Sequence, residues 1–256
     1  MTFLDDVLEV KCAEIDLLRQ HPPSAAASSA PEFGRSLRGP GLSVIAEIKR
    51  RSPSKGDLAR SLDVASAARA YAAGGASAIS CLTDRRFFGA LTGDVAHACA
   101  AGLPVLRKDF LIDEIQIDES VDLGVSAVLL IARILPPGRL ETLHGHAVSR
   151  GLDVLLEVHD EAEVDRALAA GASIIGVNNR DLATLAVDPG RALKLRPRIP
   201  AAVVSVAESG VASRDDVQRI EDAGFDAVLI GEALVTSSDP ATTLMDLMGK
   251  AAEVSR

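Results

Sequence analysis

The sequence of 256 residues predicts an α/β fold built from eight strand–helix units, and three observations support this fold class. Eight short runs rich in leucine and β-branched residues begin about 20 to 35 residues apart, which leaves room for one helix and two loops between neighbours. A glycine-containing cassette recurs before many of these runs. Aromatic residues make up only 3% of the chain, so the core must be aliphatic, as it is in buried parallel sheets.

The region before the repeats is predicted to be one helix and a connector. Apolar residues recur at helical spacing among charges over residues 3–19, which is typical of an amphipathic helix packed on a larger body. Residues 22–31 are rich in Pro, Ser and Ala, a composition that resists both helix and strand. We therefore expect a single domain over residues 1–256, with the helix and connector in 1–40 and the barrel in 41–250.

The repeated units are predicted to be parallel strands joined by helices, because a hairpin would need only a few residues between strands. The expected strand starts are Val44, Ala78, Val105, Ala127, Val154, Ile174, Val203 and Ala227. Glycines that suit a left-handed helix cap end the preceding helices, at Gly74, Gly102, Gly124, Gly151, Gly171 and Gly224. Eight such units closing on themselves form a (β/α)8 TIM barrel, here with an extra N-terminal helical segment.

The alternative architecture is an open, doubly wound sheet. That fold normally has a G-x-G-x-x-G turn after its first strand and an acid about 20 residues further on. No such turn follows residues 44–49. Evenly spaced units also suit a closed barrel better than an open sheet, so the barrel is the preferred prediction.

Composition and charge exclude several classes of partner. The net charge is −9, without the basic stripe that nucleic-acid binding requires. The N-terminus carries acids where a secretion signal needs positive charge, and the longest apolar run, residues 127–132, is far shorter than the ~18 residues of a membrane helix. The three cysteines are too scattered for a disulfide framework or a metal pair. We expect a cytoplasmic protein that binds neither nucleic acid nor membrane.

Histidines and cysteines give no prediction of a metal site. His144 and His146 lie two apart in a predicted helix, where such positions do not face one another. Cys81 lies inside a predicted strand and is expected to be a small buried hydrophobe. We therefore expect no metal site, and nothing in the sequence resembles a dinucleotide-binding fingerprint.

Polar side chains follow five of the predicted strands, at the end of the barrel where sites of this fold are found. They are Glu47 and Lys49 after strand 1, Lys108 after strand 3, Glu157 after strand 5, Asn178 and Arg180 after strand 6, and Glu208 after strand 7. His159 is a secondary candidate. Any one charge alone is more simply a strand end that reaches solvent, but five strands that end alike favour a site.

The loops after strands 7 and 8 are candidates for phosphate binding, as in many barrels. Gly210 and Gly231 would let backbone N–H groups approach a phosphate, and Ser209 adds a hydroxyl. Ordinary strand-to-helix turns are the alternative interpretation. Glu232 is unfavourable beside a phosphate unless its side chain turns away. Residues 52–56 form a loop across the mouth that can close over a ligand.

Taken together, these motifs resemble the indole-3-glycerol-phosphate synthase family, over nearly the whole chain. The matching segments are A-E-I-K-R-R-S-P-S-K-G at 46–56, A-I-S-C-L-T-D with F-F-G at 78–89, L-R-K-D-F at 106–110, A-V-L-L-I at 127–131, L-L-E-V-H at 155–159, I-G-V-N-N-R-D-L at 175–182, A-E-S-G at 207–210 and I-G-E-A-L at 230–234. Each fragment alone is weak, whereas the ordered set is specific. Cys81 and Ala90 depart mildly from the family pattern.

The resemblance implies a cofactor-free carboxy-lyase of tryptophan biosynthesis. It would convert 1-(2-carboxyphenylamino)-1-deoxyribulose 5-phosphate into indole-3-glycerol phosphate with loss of carbon dioxide and water. Lys108 matches the family's general acid, which protonates the ketone oxygen, and Glu157 matches its base. Lys49 would assist departure of the hydroxyl or hold anionic groups. Which lysine does which step stays open.

The same resemblance places the remaining site residues. Glu47, Asn178, Arg180 and Glu208 would line the pocket and hold the lysines and the substrate's polar groups. The ring pocket would be formed by Phe88, Phe110, Leu129 and Leu182, and the phosphate site by Ser52, Ser209, Gly210, Gly231 and the backbone N–H of Glu232. The expected partner is a phosphorylated small molecule, and the expected state is a monomer or weak homodimer.

Two rival functions stay open at this point. A sugar-phosphate isomerase would share the phosphate loops, but would not need Lys108 with Glu157 and an apolar ring pocket. A non-catalytic barrel would be expected to lack a lysine or Glu157, and none is missing.

Overall fold

The centre of the molecule is a closed barrel of eight parallel strands, in a computed structural model that describes residues 3–24, 30 and 32–250. The strands follow one another around the barrel in chain order, and the first pairs with the last. They are Ser43–Ile48 (β1), Ala78–Leu82 (β2), Val105–Lys108 (β3), Ala127–Ile131 (β4), Asp153–Val158 (β5), Ile174–Asn178 (β6), Val204–Glu208 (β7) and Ala227–Ile230 (β8). The predicted (β/α)8 TIM barrel is confirmed, and every expected strand start lies on or next to an observed one.

Helices alternate with the strands and cover the barrel. They are Phe3–Gln20 (α1), Phe33–Ser36 (α2), Val64–Ala73 (α3), Arg85–Phe88 (α4), Asp94–Cys99 (α5), Glu114–Asp122 (α6), Arg139–Ser149 (α7), Glu161–Ala169 (α8), Gly190–Leu195 (α9), Arg214–Asp222 (α10), Glu232–Val235 (α11) and Pro240–Leu247 (α12), with 3-10 turns at Ala132–Ile134 and Arg196–Arg198. The predicted N-terminal helix is therefore present. None of the helices in the described ranges has the length and hydropathy needed to cross a bilayer.

The core has two layers because both faces of every strand are buried. Ile45, Leu106 and Leu155 point into the barrel, whereas Val44 and Leu130 pack beneath the outer helices. Burial on both faces explains why the strands are continuous apolar runs without alternation.

The two ends of the barrel differ. At the N-terminal end of the strands, Phe33 and Leu37 join the inner core, and the Gly34 N–H donates to Asp153 Oδ2 at 2.8 Å, so α2 closes this end. At the opposite end, Lys11 of α1 pairs with Asp84 and Asp109, which follow β2 and β3. The helix α1 therefore lies at the end where the site is expected. Residues 25–29 and 31 of the predicted connector lie outside the described residues, and the division of the chain at residue 40 stays a prediction.

One glycine prediction is wrong in detail. The left-handed residue after α3 is Gly75 (φ 86°), whereas Gly74 keeps a right-handed φ of −75°. Gly74 is needed for a different reason, since a Cβ there would lie 2.9 Å from the carbonyl oxygen of Ala241 in α12. The other glycines expected at left-handed caps all have positive φ, namely Gly102, Gly124, Gly151, Gly171 and Gly224.

Candidate active site

A cavity of about 640 Å³ lies at the carboxyl ends of the strands. The sixteen residues singled out from the sequence all line it, namely Glu47, Lys49, Ser52, Phe88, Lys108, Phe110, Leu129, Glu157, Asn178, Arg180, Leu182, Glu208, Ser209, Gly210, Gly231 and Glu232. They come from different strands and loops, and parallel packing brings them to one place. The structure therefore assembles them in one cavity, while their individual roles stay predictions.

The end of β1 carries a closed ion pair. Glu47 and Lys49 are two apart and point to the same side, and Lys49 Nζ donates to Glu47 Oε1 at 2.6 Å. Burial would raise the pKa of Glu47, but the charges of Lys49 and Lys108 outweigh burial and lower it. A Cβ on Gly231 would lie 2.5 Å from Glu47 Oε1. Glycine at this position therefore leaves room for the pair.

Lys108 lies between two buried carboxyl groups at the end of β3. Its Nζ is 3.6 Å from Glu157 Oε2 and 3.8 Å from Glu208 Oε2. Burial opposes the charge on this lysine, but Glu157, Glu208 and Glu47 together outweigh burial and raise its pKa above the ordinary value. Lys108 is therefore an ammonium group with a proton to give, next to groups that can receive one.

Burial and a neighbouring charge oppose the ionisation of Glu208. Glu208 is 1% exposed, and burial together with the neighbouring charge of Glu157 raises its pKa to about 8, against the opposite effect of Lys108. The side chain fits because β6 has a glycine opposite, since a Cβ on Gly176 would overlap Glu208 Oε1. A large side chain on β6 would displace this carboxyl group from Lys108.

Glu157 projects from the end of β5 with both carboxyl oxygens unbonded. The residue is 1% exposed, and neither oxygen accepts a hydrogen bond from the part of the chain that the structure describes. Lys108 Nζ flanks one oxygen at 3.6 Å, and His159 Nε2 flanks the other at 3.4 Å. Free lone pairs in a buried site suit a general base. His159, the secondary candidate, is not among the residues that line the cavity.

The end of β6 supplies a fixed cation at the mouth. Asn178 Oδ1 accepts the backbone N–H of Arg180 at 2.9 Å. The Arg180 guanidinium donates to the carbonyl oxygen of Leu185 at 2.8 Å and to Ser54 Oγ at 3.2 Å. These contacts hold the guanidinium between the loop after β6 and the loop of residues 52–56, where it can bind a carboxylate.

The predicted phosphate loops follow two neighbouring strands, β7 and β8, and both loops line the cavity. Ser209 and Gly210 both have positive φ, 64° and 83°, and a Cβ on Gly210 would lie 2.9 Å from Val187 Cγ1. Glu232 begins the short helix α11, and its Oε1 accepts from Lys55 Nζ at 2.5 Å across the mouth. The Glu232 carboxylate is thus paired with Lys55. A phosphate site in these loops needs this carboxylate to be turned away from the phosphate.

Apolar side chains form one wall of the cavity. The ring centroids of Phe88 and Phe110 are 6.3 Å apart, and Phe3 of α1 stands edge-on to Phe110 at 6.3 Å. Sequence reasoning placed Phe3 on the apolar face of a helix but not in the cavity. It also missed the lining residues Leu185 and Val187, which come from an irregular loop with no periodic pattern. This wall suits a planar ring.

Other chemistry-bearing residues stay apart from the cavity. His144 is buried in α7, and His146 Nε2 pairs with Asp118 Oδ1 at 2.9 Å. Burial raises the pKa of the Cys81 thiol to about 12, as expected of a buried hydrophobe. Within residues 3–24, 30 and 32–250, no group of three His, Cys, Asp or Glu side chains is placed to hold a metal ion.

Comparison with known proteins places the chain in a family. The family model described as indole-3-glycerol phosphate synthase matches residues 4–247. Indole-3-glycerol phosphate synthase from Chlorobium phaeovibrioides is 47% identical over 93% of this chain and 96% of that protein. Indole-3-glycerol phosphate synthase 2 from Streptomyces coelicolor is 50% identical over 88% of each chain.

Similarity to solved structures of low sequence identity shows the fold alone. Thiamine phosphate pyrophosphorylase from Pyrococcus furiosus superposes with a TM-score of 0.61 at 16% identity, over 82% of this chain and 95% of that one. A Streptococcus mutans structure named KGPDC gives a TM-score of 0.62 at 11% identity, over 82% and 97%. The family is shown by the sequence matches, which cover nearly the whole chain at high identity. The chain belongs to the indole-3-glycerol phosphate synthase family.

Proposed function

We propose that the cavity converts 1-(2-carboxyphenylamino)-1-deoxyribulose 5-phosphate into indole-3-glycerol phosphate, the carboxy-lyase reaction of tryptophan biosynthesis, with Lys108 as general acid and Glu157 as general base. The observation that carries this assignment is the partly buried ammonium of Lys108, 3.6 Å from the unbonded carboxylate of Glu157, beside an apolar wall. The reaction needs both groups within reach of one substrate.

Ring closure is the step assigned to Lys108. The aryl carbon that bears the carboxylate attacks the ketone carbon, and a carbon–carbon bond forms while the ketone oxygen takes the proton of Lys108 Nζ. A cation held in a buried site stabilises the charge that develops on that oxygen. Glu208 and Glu157 keep Lys108 charged until it gives up the proton. The carboxylate then leaves as carbon dioxide, and its bonding electrons restore the aromatic ring.

Dehydration is the step assigned to Glu157. Its carboxylate removes a proton from the carbon next to nitrogen, the new carbon–carbon double bond forms, and the hydroxyl leaves as water with a proton from Lys49. Glu47 holds Lys49 at 2.6 Å, which positions this second donor. The protonated Glu157 lies 3.6 Å from Lys108, so it can return its proton to the acid directly. Water reprotonates Lys49.

Substrate binding is divided among three parts of the cavity. The apolar wall of Phe88, Phe110, Leu129 and Leu182 packs against the anthranilate ring. Arg180 and Asn178 bind its carboxylate and the hydroxyls of the chain. The phosphate is held by Ser52 and by the loops after β7 and β8, through backbone N–H groups and hydroxyls. The loop residues are Ser209, Gly210, Gly231 and Glu232.

A sugar-phosphate isomerase is the nearest rival that uses phosphate loops of this kind. It has no use for an apolar wall of several side chains or for a second lysine paired with a glutamate. The Lys49–Glu47 pair and the Phe88–Phe110 wall favour the synthase.

The test is product formation by the purified chain. Incubation with the anilino-deoxyribulose phosphate should give the fluorescence of an indole together with one carbon dioxide per indole formed. Carbon dioxide release without an indole, or neither product, would contradict the proposed reaction. A sugar-phosphate isomerase assay on the same preparation should show no turnover.

The cellular setting follows from the composition and the surface. We infer that the enzyme works in the cytoplasm as a monomer or weak homodimer on a small phosphorylated substrate, with no nucleic acid. The net charge of −9 and the free thiols of Cys12, Cys81 and Cys99 support this setting. Sedimentation at micromolar concentration is the measurement for the oligomeric state.

A further inference from the structure

The base Glu157 has one neighbour that the reaction does not use. His159 Nε2 lies 3.4 Å from Glu157 Oε1, and neither atom has a hydrogen bond to any residue of the described ranges. The His159 ring is fully buried. His159 is not among the residues that line the cavity, whereas Glu157 is.

The opposite edge of the His159 ring contacts Glu163 of α8. His159 Nδ1 lies 3.1 Å from Glu163 Oε2, which also accepts the backbone N–H of His159 at 2.7 Å. Glu163 in turn accepts from Arg133 Nε at 2.8 Å, and its own N–H donates to Asp160 Oδ1 at 2.9 Å. Although burial acts in the opposite direction, the contacts with His159 and Arg133 lower the pKa of Glu163. An ionised, doubly held carboxylate is a rigid anchor for the ring.

Glu157 needs such an anchor because a base must present its lone pairs at one angle. Lys108 Nζ, at 3.6 Å, is beyond hydrogen-bond length and is itself needed for chemistry. The neighbouring Glu208 is a second acid, and in its ionised form it repels Glu157. A carboxylate with no fixed donor can rotate, and misplacement by about 1 Å can cost ~10²-fold in rate.

We propose that His159 is a positioning residue for the base: its Nε2–H donates a hydrogen bond to Glu157 Oε1, while its Nδ1–H donates one to Glu163 Oε2, which holds the ring at the angle that makes the first contact. The inference rests on the proposed function, in which Glu157 is the base. Catalytic hydrogen bonds are often long before substrate binds and shorten in the complex, which accounts for the 3.4 Å spacing. His159 moves no proton in the net reaction.

Two substitutions of His159 distinguish its contact with the base, Glu157, from its contact with the anchor, Glu163. The amide nitrogen of His159→Asn replaces Nδ1, so it keeps the bond to Glu163 and loses the donor to Glu157. The longer His159→Gln places its amide nitrogen near the position of Nε2 and keeps the donor to Glu157. We expect kcat to fall by roughly 10-fold or more in His159→Asn, with KM within about 3-fold, and to stay within about 3-fold of wild type in His159→Gln.

If His159 has only a structural role, the two variants should differ from wild type in stability and not in kcat. Both variants would then lose thermal stability to a similar extent while kcat at saturation stays at the wild-type value. Glu163→Gln provides a further variant if His159→Asn does not fold: we expect a lower kcat at unchanged KM, and a wild-type kcat would contradict the proposal.

A double-mutant cycle decides whether His159 acts through Glu157. If it does, Glu157→Gln with His159→Asn should be no slower than Glu157→Gln alone, since a base that is absent cannot be misaligned. If the rate losses of the two single variants multiply in the double variant, the proposal is wrong. Near-wild-type turnover in Glu157→Gln itself would refute the proposed function, whereas a slow Glu157→Gln beside a fully active His159→Asn would refute only the positioning role.

Discussion

Replacing Glu208 with glutamine should make the protein more stable while it makes the enzyme slower. The reason is the environment of the carboxyl group, which is 1% exposed and whose pKa is raised from 4.5 to about 8 by burial and by Glu157. An acid with a higher pKa in the folded state than in the unfolded state makes unfolding easier as the pH rises between those two values. Glutamine keeps the shape of the protonated acid and cannot ionise.

The size of the gain follows from the same two values. The destabilisation of the folded state by Glu208 begins near pH 4.5, the ordinary pKa, and grows by about 1.36 kcal/mol per pH unit. At pH 7 the native state is therefore destabilised by about 3 kcal/mol, and above about pH 8 the destabilisation levels off. Glu208→Gln should recover this free energy of unfolding at pH 7, but less than about 0.5 kcal/mol at pH 4.5.

Urea unfolding at pH 4.5, 7 and 8 measures this difference directly. The exposed Glu141→Gln on α7 is the matched control, and it should change the free energy of unfolding by less than about 0.5 kcal/mol at each pH. In parallel, kcat of Glu208→Gln should fall most above about pH 8, where the ionised Glu208 helps to keep Lys108 charged and glutamine cannot. Equal or lower stability of Glu208→Gln at pH 7 and 8 would refute the reasoning.

Three further outcomes are expected. Lys108→Met removes the charge and keeps much of the length, so kcat should fall by roughly 10²–10⁴ while a binding titration stays within about tenfold; near-normal turnover would transfer the acid role to Lys49. Inorganic phosphate or sulfate should compete with substrate at the loops that contain Gly210 and Gly231, and tight binding of a dephosphorylated substrate without anion competition would contradict the phosphate site. Exhaustive chelation should leave activity intact, since the chemistry is assigned to side chains alone. A loss of activity that one divalent ion restores would contradict that assignment.

The sequence predicts the barrel and the members of its site because both depend on local patterns. The spacing of apolar runs defines the strand–helix units, and parallel strands necessarily bring their carboxyl ends to one place. Residues such as Glu47, Lys108 and Glu157 could therefore be assigned to one cavity from strand position alone. The family resemblance added which of them acts as acid and which as base.

What the sequence could not predict is contact across the barrel. Gly176 makes room for Glu208 from the neighbouring strand, and nothing in the local pattern of β6 marks that glycine as different from one in a turn. The irregular loop after β6 brings Val187 against Gly210. Phe3 reaches the cavity only because α1 is docked over its mouth. Each depends on the packing of segments far apart in the chain.

The relation between His159 and Glu163 shows the same limit. They are four positions apart, but one follows a strand and the other lies in a helix, so no single period relates their side chains. The approach of His159 to Glu157, and of Glu163 to His159, is visible only when β5 and α8 are seen packed together.

Single-turnover kinetics of Glu157→Gln, beside a binding titration on the same preparation, test the assignment of acid and base most directly. Glutamine keeps the shape of Glu157 and removes its basicity. We predict that the rate of indole formation falls by about 10²–10⁴, while substrate affinity changes by less than roughly tenfold. A rate that holds while affinity collapses would contradict it: Glu157 would then only bind substrate, and the base would have to be Glu47 or Glu208.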